Sequence, residues 1–165
     1  MLRAVLLLAL VAGLASCSSD AATSSARVDR VVDGDTIRLA DGRRVRLVQI
    51  DAPEEAGREC YADRSTAELR RLLPGGTKVE LAADPNLDRV DRFGRLLRYV
   101  LVGDRVVNVE LVEYGAAAPY FFQGARGRYA DDLLRAAHDA QGTGRGLWGS
   151  CPGAVLDPTR QVATN

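Results

Sequence analysis

VVDGDTIRLADGRRVRLVQIDAPE, residues 31 to 54, is the stretch on which the reading of this chain turns. Val31-Val32 is an apolar start, Asp33-Gly34-Asp35 has turn chemistry, and Thr36-Ile37-Arg38-Leu39 alternates polar and apolar with the period of a strand. Asp41-Gly42 is a hairpin pair, so Arg44 to Ile50 should return antiparallel beside the strand before it. That return sets Asp35, near one strand's start, beside Asp51 at the other's end. Carboxylates converging there repel by about a few kcal/mol at protein-like dielectric unless a cation sits between them. A hard divalent ion with oxygen ligands answers that need.

Downstream, Pro53 fixes its own φ and keeps Ala52 extended, stiffening the turn that aims Asp51 and Glu54. Tyr61 to Leu73 reads as a helix, with Ala62, Leu69 and Leu72-Leu73 apolar amid charged residues, stopped by Pro74-Gly75-Gly76. Thr77 to Ala82 reads as a fourth strand and Gly94 to Val102 as a fifth, across a charged, turn-rich link from Asp84 to Arg92. Val106 to Tyr114, with Val107, Leu111 and Tyr114 on one face, is a second helix ended by Gly115. Gly127 to Gln141 is a third, with Tyr129, Leu133, Ala136, Ala137 and Ala140 inward; Leu147-Trp148 then reads as a core plug. Beyond Pro152 the chain is polar, and a mobile tail is expected over 151–165.

Three segments in order carry a resemblance: Asp33-Gly34-Asp35-Thr36, the run Arg46 to Glu54, and Asp91-Arg92-Phe93-Gly94-Arg95. Together they resemble the thermonuclease family, the staphylococcal-nuclease-like calcium-dependent endonucleases, over most of residues 28 to 150. The resemblance implies an α+β, mainly β fold, a five-stranded OB-type barrel with three helices packed on it, spanning residues 27–150. It implies hydrolysis of phosphodiester bonds in DNA and RNA with little base preference, and 3′-phosphate ends. It gives Asp35, Asp51 and the main-chain carbonyl of Ala52 as Ca2+ ligands, and Arg46, Glu54 and Arg95 as the catalytic group. Better-known members have threonine where Ala52 stands; a main-chain ligand survives that exchange, while help from the hydroxyl does not. Arg92 and Phe93 fall where members contact the nucleotide, and Phe121 where an aromatic stacks on the base, with core packing the alternative for Phe121. A stacked base is worth about 1–3 kcal/mol and tolerates any sequence.

The 165 residues suffice for one domain and one core. Basic and acidic residues number 22 each, so electrostatic coating of nucleic acid is excluded and any binding must be local. Lys78 is the one lysine; the other cations are arginines, whose planar fork suits phosphate. His138, the one histidine, falls on the outer side of the last helix, which rules out paired-histidine chemistry, and no nucleophile elbow is present for a serine hydrolase.

Residues 1–16 read as a secretory signal, with Arg3 before an apolar run too short to span a bilayer. Leu14-Ala15-Ser16-Cys17 resembles the bacterial lipobox, so lipidation of Cys17 is expected; an ordinary cleaved signal is the alternative. Residues 17–26, rich in Ser, Ala and Thr, read as a flexible tether. With Cys17 lipidated, Cys60 and Cys151 remain as a disulfide pair in an exported protein. The location is then the cell envelope, as a lipoprotein, or the exterior.

Phosphodiester hydrolysis needs a positioned water, neutralised phosphoryl oxygens and a tolerable leaving alkoxide. Glu54 is the candidate base towards the water, or its orienter. The expected partners are DNA and RNA, preferably single-stranded, and a membrane through Cys17, with the protein a monomer. The competing classes are an OB-type module that binds single strands without cutting them, and a structural envelope lipoprotein. Both would tolerate loss of the carboxylates and arginines that this chain retains.

Overall fold

The computed structural model describes residues 23–164. The leader and Cys17 lie outside the described residues. Within them the strands are β1 (Thr23–Val31), β2 (Thr36–Leu39), β3 (Arg44–Leu47), β4 (Ile50–Asp51), β5 (Lys78–Ala82), β6 (Leu96–Val102), β7 (Arg105–Val106) and β8 (Ala118–Pro119), with valine and leucine buried at alternate positions most clearly in β3 and β5. The sheet runs β3-β2-β1-β5-β6-β7, and β3 also pairs with β6. That pairing is parallel, Val45 to Leu96 and Leu47 to Arg98, and it closes the five strands β1, β2, β3, β5 and β6 into a barrel. Closure leaves those strands without free edges.

Four helices follow the same logic: α1 (Ala62–Leu72), α2 (Val107–Glu113), α3 (Ala130–Gly142) and the single turn α4 (Leu147–Ser150). In α1, Ala62, Ser65, Thr66, Leu69 and Leu72 recur at three- and four-residue steps and form its buried stripe. In α3 the stripe is Ala130, Leu133, Ala136, Ala137 and Ala140, whose small side chains admit close packing on α2. The three longer helices fall where their periodicity sets them. Tyr114 does not share the buried face of α2: its ring is 42% exposed, beneath the Arg71 guanidinium.

The barrel interior is Val28, Ile37, Leu39, Val45, Leu47, Val79, Leu81 and Val100, and the helices cap it with Leu69, Leu111 and Leu133. Two buried amides tie the layers together. Asn108 donates to the Val48 carbonyl at 2.9 Å and accepts from the Val100 N–H at 2.9 Å. Gln49, at φ 64°, accepts from the Tyr99 hydroxyl and the Gly127 N–H, each at 2.9 Å. Neither announces itself in the sequence, because a buried amide looks like a surface one until its partners are known.

Two expectations are corrected here. Composition marks residues 17–26 as a tether; 17–22 lie outside the described residues, and Thr23 to Ala26 are strand, paired with Ala82 to Val79 of β5. Backbone groups left open on β5 recruit them whatever their side chains, and composition does not register that. The segment after Pro152 is also packed: Thr164 is 1% exposed, and Val162, 6% exposed, clusters with Ala118, Leu147 and Cys151. Cys60 and Cys151 form a disulfide across 91 residues, as expected. A loop of about that length is worth roughly 4–5 kcal/mol in the chain-entropy account.

Candidate active site

The turn between β1 and β2 is shaped by Asp33, whose Oδ1 accepts the Asp35 N–H at 3.2 Å. Gly34 is required there for space: a Cβ would lie 2.6 Å from that of Ala52 and 3.0 Å from that of Ser65. The bare glycine lets the turn press against the exit of β4, bringing Asp35 to Asp51. The Asp35 carboxylate accepts the Ala52 N–H at 3.1 Å and the Thr36 hydroxyl at 3.0 Å.

Arg46 reaches in from β3, and its Nη2 lies 3.1 Å from Asp35 and 2.7 Å from Asp51. Its other terminal nitrogen donates to the carbonyls of Leu47 and Ile50 at 2.9 and 2.6 Å. The hairpin therefore does what its sequence implies, and the cation between the aspartates is this guanidinium, 12% exposed. Arg95 lies immediately before β6, the strand that pairs with β3. Its Nη1 donates to the Thr36 hydroxyl at 3.4 Å, and Thr36 in turn donates to Asp35. One chain of contacts thus runs Arg95, Thr36, Asp35, Arg46, Asp51. Thr36 had no role assigned from sequence; the threonine of Asp-Gly-Asp-Thr was the available clue.

Asp91 holds Arg95. Its Oδ2 accepts the Arg95 Nε–H at 2.6 Å, while its Oδ1 accepts the N–H groups of Phe93 and Arg95, each at 2.9 Å. Partial burial works to raise the Asp91 pKa, but those N–H groups and the guanidinium of Arg95 bring it below the ordinary value. Phe93 is 63% exposed, with the guanidinium of Arg92 at 4.7 Å and that of Arg95 at 5.6 Å from its centroid. An open ring flanked by cations suits a base stacked beside its phosphate.

Phe121 is a correction. It is 5% exposed and packs in the main core, so it presents no face for a base. Its apolar bulk wins a core position, and its neighbour Phe122, 58% exposed, is the ring that faces solvent.

Glu54 is exposed at the rim, its N–H donating to Glu59 at 2.8 Å. Partial burial, then the charges of Asp33 and Asp51, raise its pKa. Burial is also the main reason that Asp35 is pushed up to about 7, with Arg46 opposing and Asp33 and Asp51 adding. Burial raises Asp51 as well, against Arg46 and the Val162 N–H. Asp33, Asp35, Asp51 and Glu54 all act on the one guanidinium of Arg46, so four carboxyl groups share the rim with one buried cation.

That imbalance, with hard oxygen donors from Asp35 and Asp51, fits a calcium ion. Among the described residues no three His, Cys, Asp or Glu side chains gather as a metal cage. Two carboxylates alone suit an ion that fills its about six to eight positions with carbonyls, water and substrate, and do not suit zinc.

Comparison with known proteins bears on these features. A family model described as staphylococcal nuclease homologue matches residues 44–150. The chain belongs to the staphylococcal nuclease family. Among similar proteins, an "Uncharacterized endonuclease" of Escherichia coli O157:H7 is 38% identical over 74% of this chain and 75% of its own length. A "Thermonuclease" of Staphylococcus intermedius is 31% identical over 79% of this chain and 80% of its own. "Protein ParB" of Escherichia coli is 38% identical over 78% and 73%. The OB-type barrel with three helices, mainly β, is the staphylococcal nuclease fold, and membership makes nucleic acid the substrate class.

Proposed function

We propose that this chain is a calcium-dependent endonuclease that hydrolyses phosphodiester bonds in DNA and RNA, preferably single-stranded, with little sequence preference. The observation that carries the reading is the convergence of Asp35, Asp51, Arg46 and Arg95 on one rim, linked through Thr36. Asp35, Asp51 and the Ala52 carbonyl are the groups that would hold the ion. Calcium, when bound, supplies a Lewis acid at the phosphate and a site for water.

The chain's own residues do the rest. Arg46 and Arg95 donate charge-assisted hydrogen bonds to the phosphoryl oxygens as charge builds there. Glu54 takes the proton of the attacking water or fixes its direction; partial burial and the neighbouring carboxylates raise its pKa, which makes its carboxylate a stronger proton acceptor. Asp91 keeps Arg95 aimed. The water oxygen bonds to phosphorus as the bond to the 5′-oxygen breaks, leaving a 3′-phosphate and a 5′-hydroxyl that takes its proton from solvent. Low base preference follows because these contacts address phosphate, with Phe93 and Arg92 gripping any neighbouring base by its face. Residues 1–16 serve export, Cys17 is the lipid anchor, and the enzyme acts as a monomer at the envelope or outside it.

The test is release of acid-soluble nucleotide from single-stranded DNA, with calcium and then with chelator. Activity that vanishes with chelator and falls about 10²–10³-fold in Arg95→Ala, the usual loss for one transition-state donor, is the expected result. Activity indifferent to chelator and to Glu54→Gln overturns the mechanism, and tight binding without cleavage would make the chain a binding module. Incorporation of labelled palmitate, abolished by Cys17→Ala, tests the anchor.

A further inference from the structure

The segment from Cys151 to Thr164 is tied to one residue at both ends. Cys151 is bonded to Cys60, and Thr164 comes back to it: the Cys60 N–H donates to the Thr164 carbonyl at 3.2 Å and the Thr164 hydroxyl to the Cys60 carbonyl at 2.8 Å. Between these anchors the chain passes over the rim. The Pro158 carbonyl accepts the Phe121 N–H at 2.7 Å. Asp157 turns the chain by accepting the Thr159 N–H and hydroxyl at 3.0 and 2.7 Å. The Val162 N–H then donates to Asp51 Oδ2 at 2.9 Å, in a buried contact, and Gln161 Nε2 lies 3.4 Å from Oδ1.

We propose that this segment is a positioning element of the active site, in which the Val162 main-chain N–H fixes the orientation of the Asp51 carboxylate. The division between the two oxygens supports this. Oδ1 faces Arg46, which also contacts Asp35, and Oδ2 is the oxygen held by Val162. A hydrogen bond to the far oxygen of a carboxylate ligand orients the near one, and loss of such a partner commonly costs about 10–100-fold in metal affinity. Val162 is a positioning residue through its backbone, while its side chain packs on Ala118, Leu147 and Cys151. The inference rests on Asp51 being a calcium ligand.

Val162→Pro removes the donor, and also fixes φ and replaces the valine side chain; Val162→Ala keeps the donor and trims the side chain, and so controls for the lost packing. Calcium is titrated into each protein by calorimetry with no nucleic acid present, and folding is checked by circular dichroism. The expected result is calcium binding weakened about 10–100-fold in Val162→Pro and nearly unchanged in Val162→Ala. At saturating calcium, KM for a short oligonucleotide should not move. Thr164→Val, which loosens the segment at Cys60 without touching Asp51, should weaken binding in the same direction and serves if the proline variant does not fold. Wild-type protein that binds calcium beside variants that bind it equally well overturns this inference alone. Wild-type protein that binds none overturns the proposed function with it. Tighter binding or faster cleavage in the variants would make the segment an inhibitory strap and refute the positioning role.

Discussion

Asp91→Asn separates what holds Arg95 from what Arg95 does. Asparagine can keep the Oδ1 that accepts the N–H groups of Phe93 and Arg95, so the loop retains its turn. Oδ2, which accepts the Arg95 Nε–H at 2.6 Å, becomes an amide donor facing another donor. A hydrogen bond to a charged group is worth about 1.5–3 kcal/mol, and side chains 21% and 16% exposed call for a figure at the low end. What is lost is the restraint on Arg95; complete loss of such a donor costs about 2.7–4 kcal/mol of transition-state stabilisation. Asp91→Asn should therefore lower kcat by about 1.4–2.7 kcal/mol, roughly tenfold to a hundredfold, and less than Arg95→Ala does. The assay is single-turnover cleavage of a single-stranded oligonucleotide at saturating calcium. In an Arg95→Ala background the same change should cost almost nothing, since nothing remains to be aimed. A wild-type rate for Asp91→Asn, or full additivity of the two changes, would refute the reasoning.

Gly34→Ala should destabilise the fold by about 1–3 kcal/mol in urea melts through overpacking, with part of the loss recovered by Ala52→Gly, which clears the closest contact. In the calcium-free protein the pKa of Asp35 lies near 7, above its unfolded value of 3.8. The folded form thus keeps a proton that the unfolded chain gives up, so the contribution is present in full at low pH and is lost as pH rises through 7. The melting temperature without calcium should fall between pH 5 and pH 8, and saturating calcium should remove that fall; a flat calcium-free profile would contradict it. Asn108→Leu should cost at least about 2 kcal/mol, because the Val100 N–H and the Val48 carbonyl both lose their buried partner, as chemical denaturation would show.

The elements were legible wherever a face repeats. Alternation through Thr36 to Leu39 and the Asp41-Gly42 turn gave the hairpin, and three- and four-residue spacing gave the helices, because burial of one face governs both. The order of motifs pointed to Asp35, Asp51, Arg46 and Arg95, which the fold brings to one rim. Their arrangement was less accessible: that Arg46 itself sits between the aspartates depends on the depth at which β3 enters, which no periodicity encodes. The two misread segments, Thr23 to Ala26 and the stretch after Pro152, are polar runs held by main-chain hydrogen bonds, which leave no trace in composition. Phe121 and Phe122 show the same limit, since two adjacent rings of one kind do not reveal which turns inward.

The parallel joint between β3 and β6 has a consequence for biosynthesis. It links residues 45–47 to 96–98, so a ribosome has made both aspartates and Arg46 about fifty residues before Arg95 emerges. Until that seam zips, Arg95 is not held beside Thr36, and fragments that stop short of β6 carry the two aspartates and Arg46 without the second guanidinium of the rim.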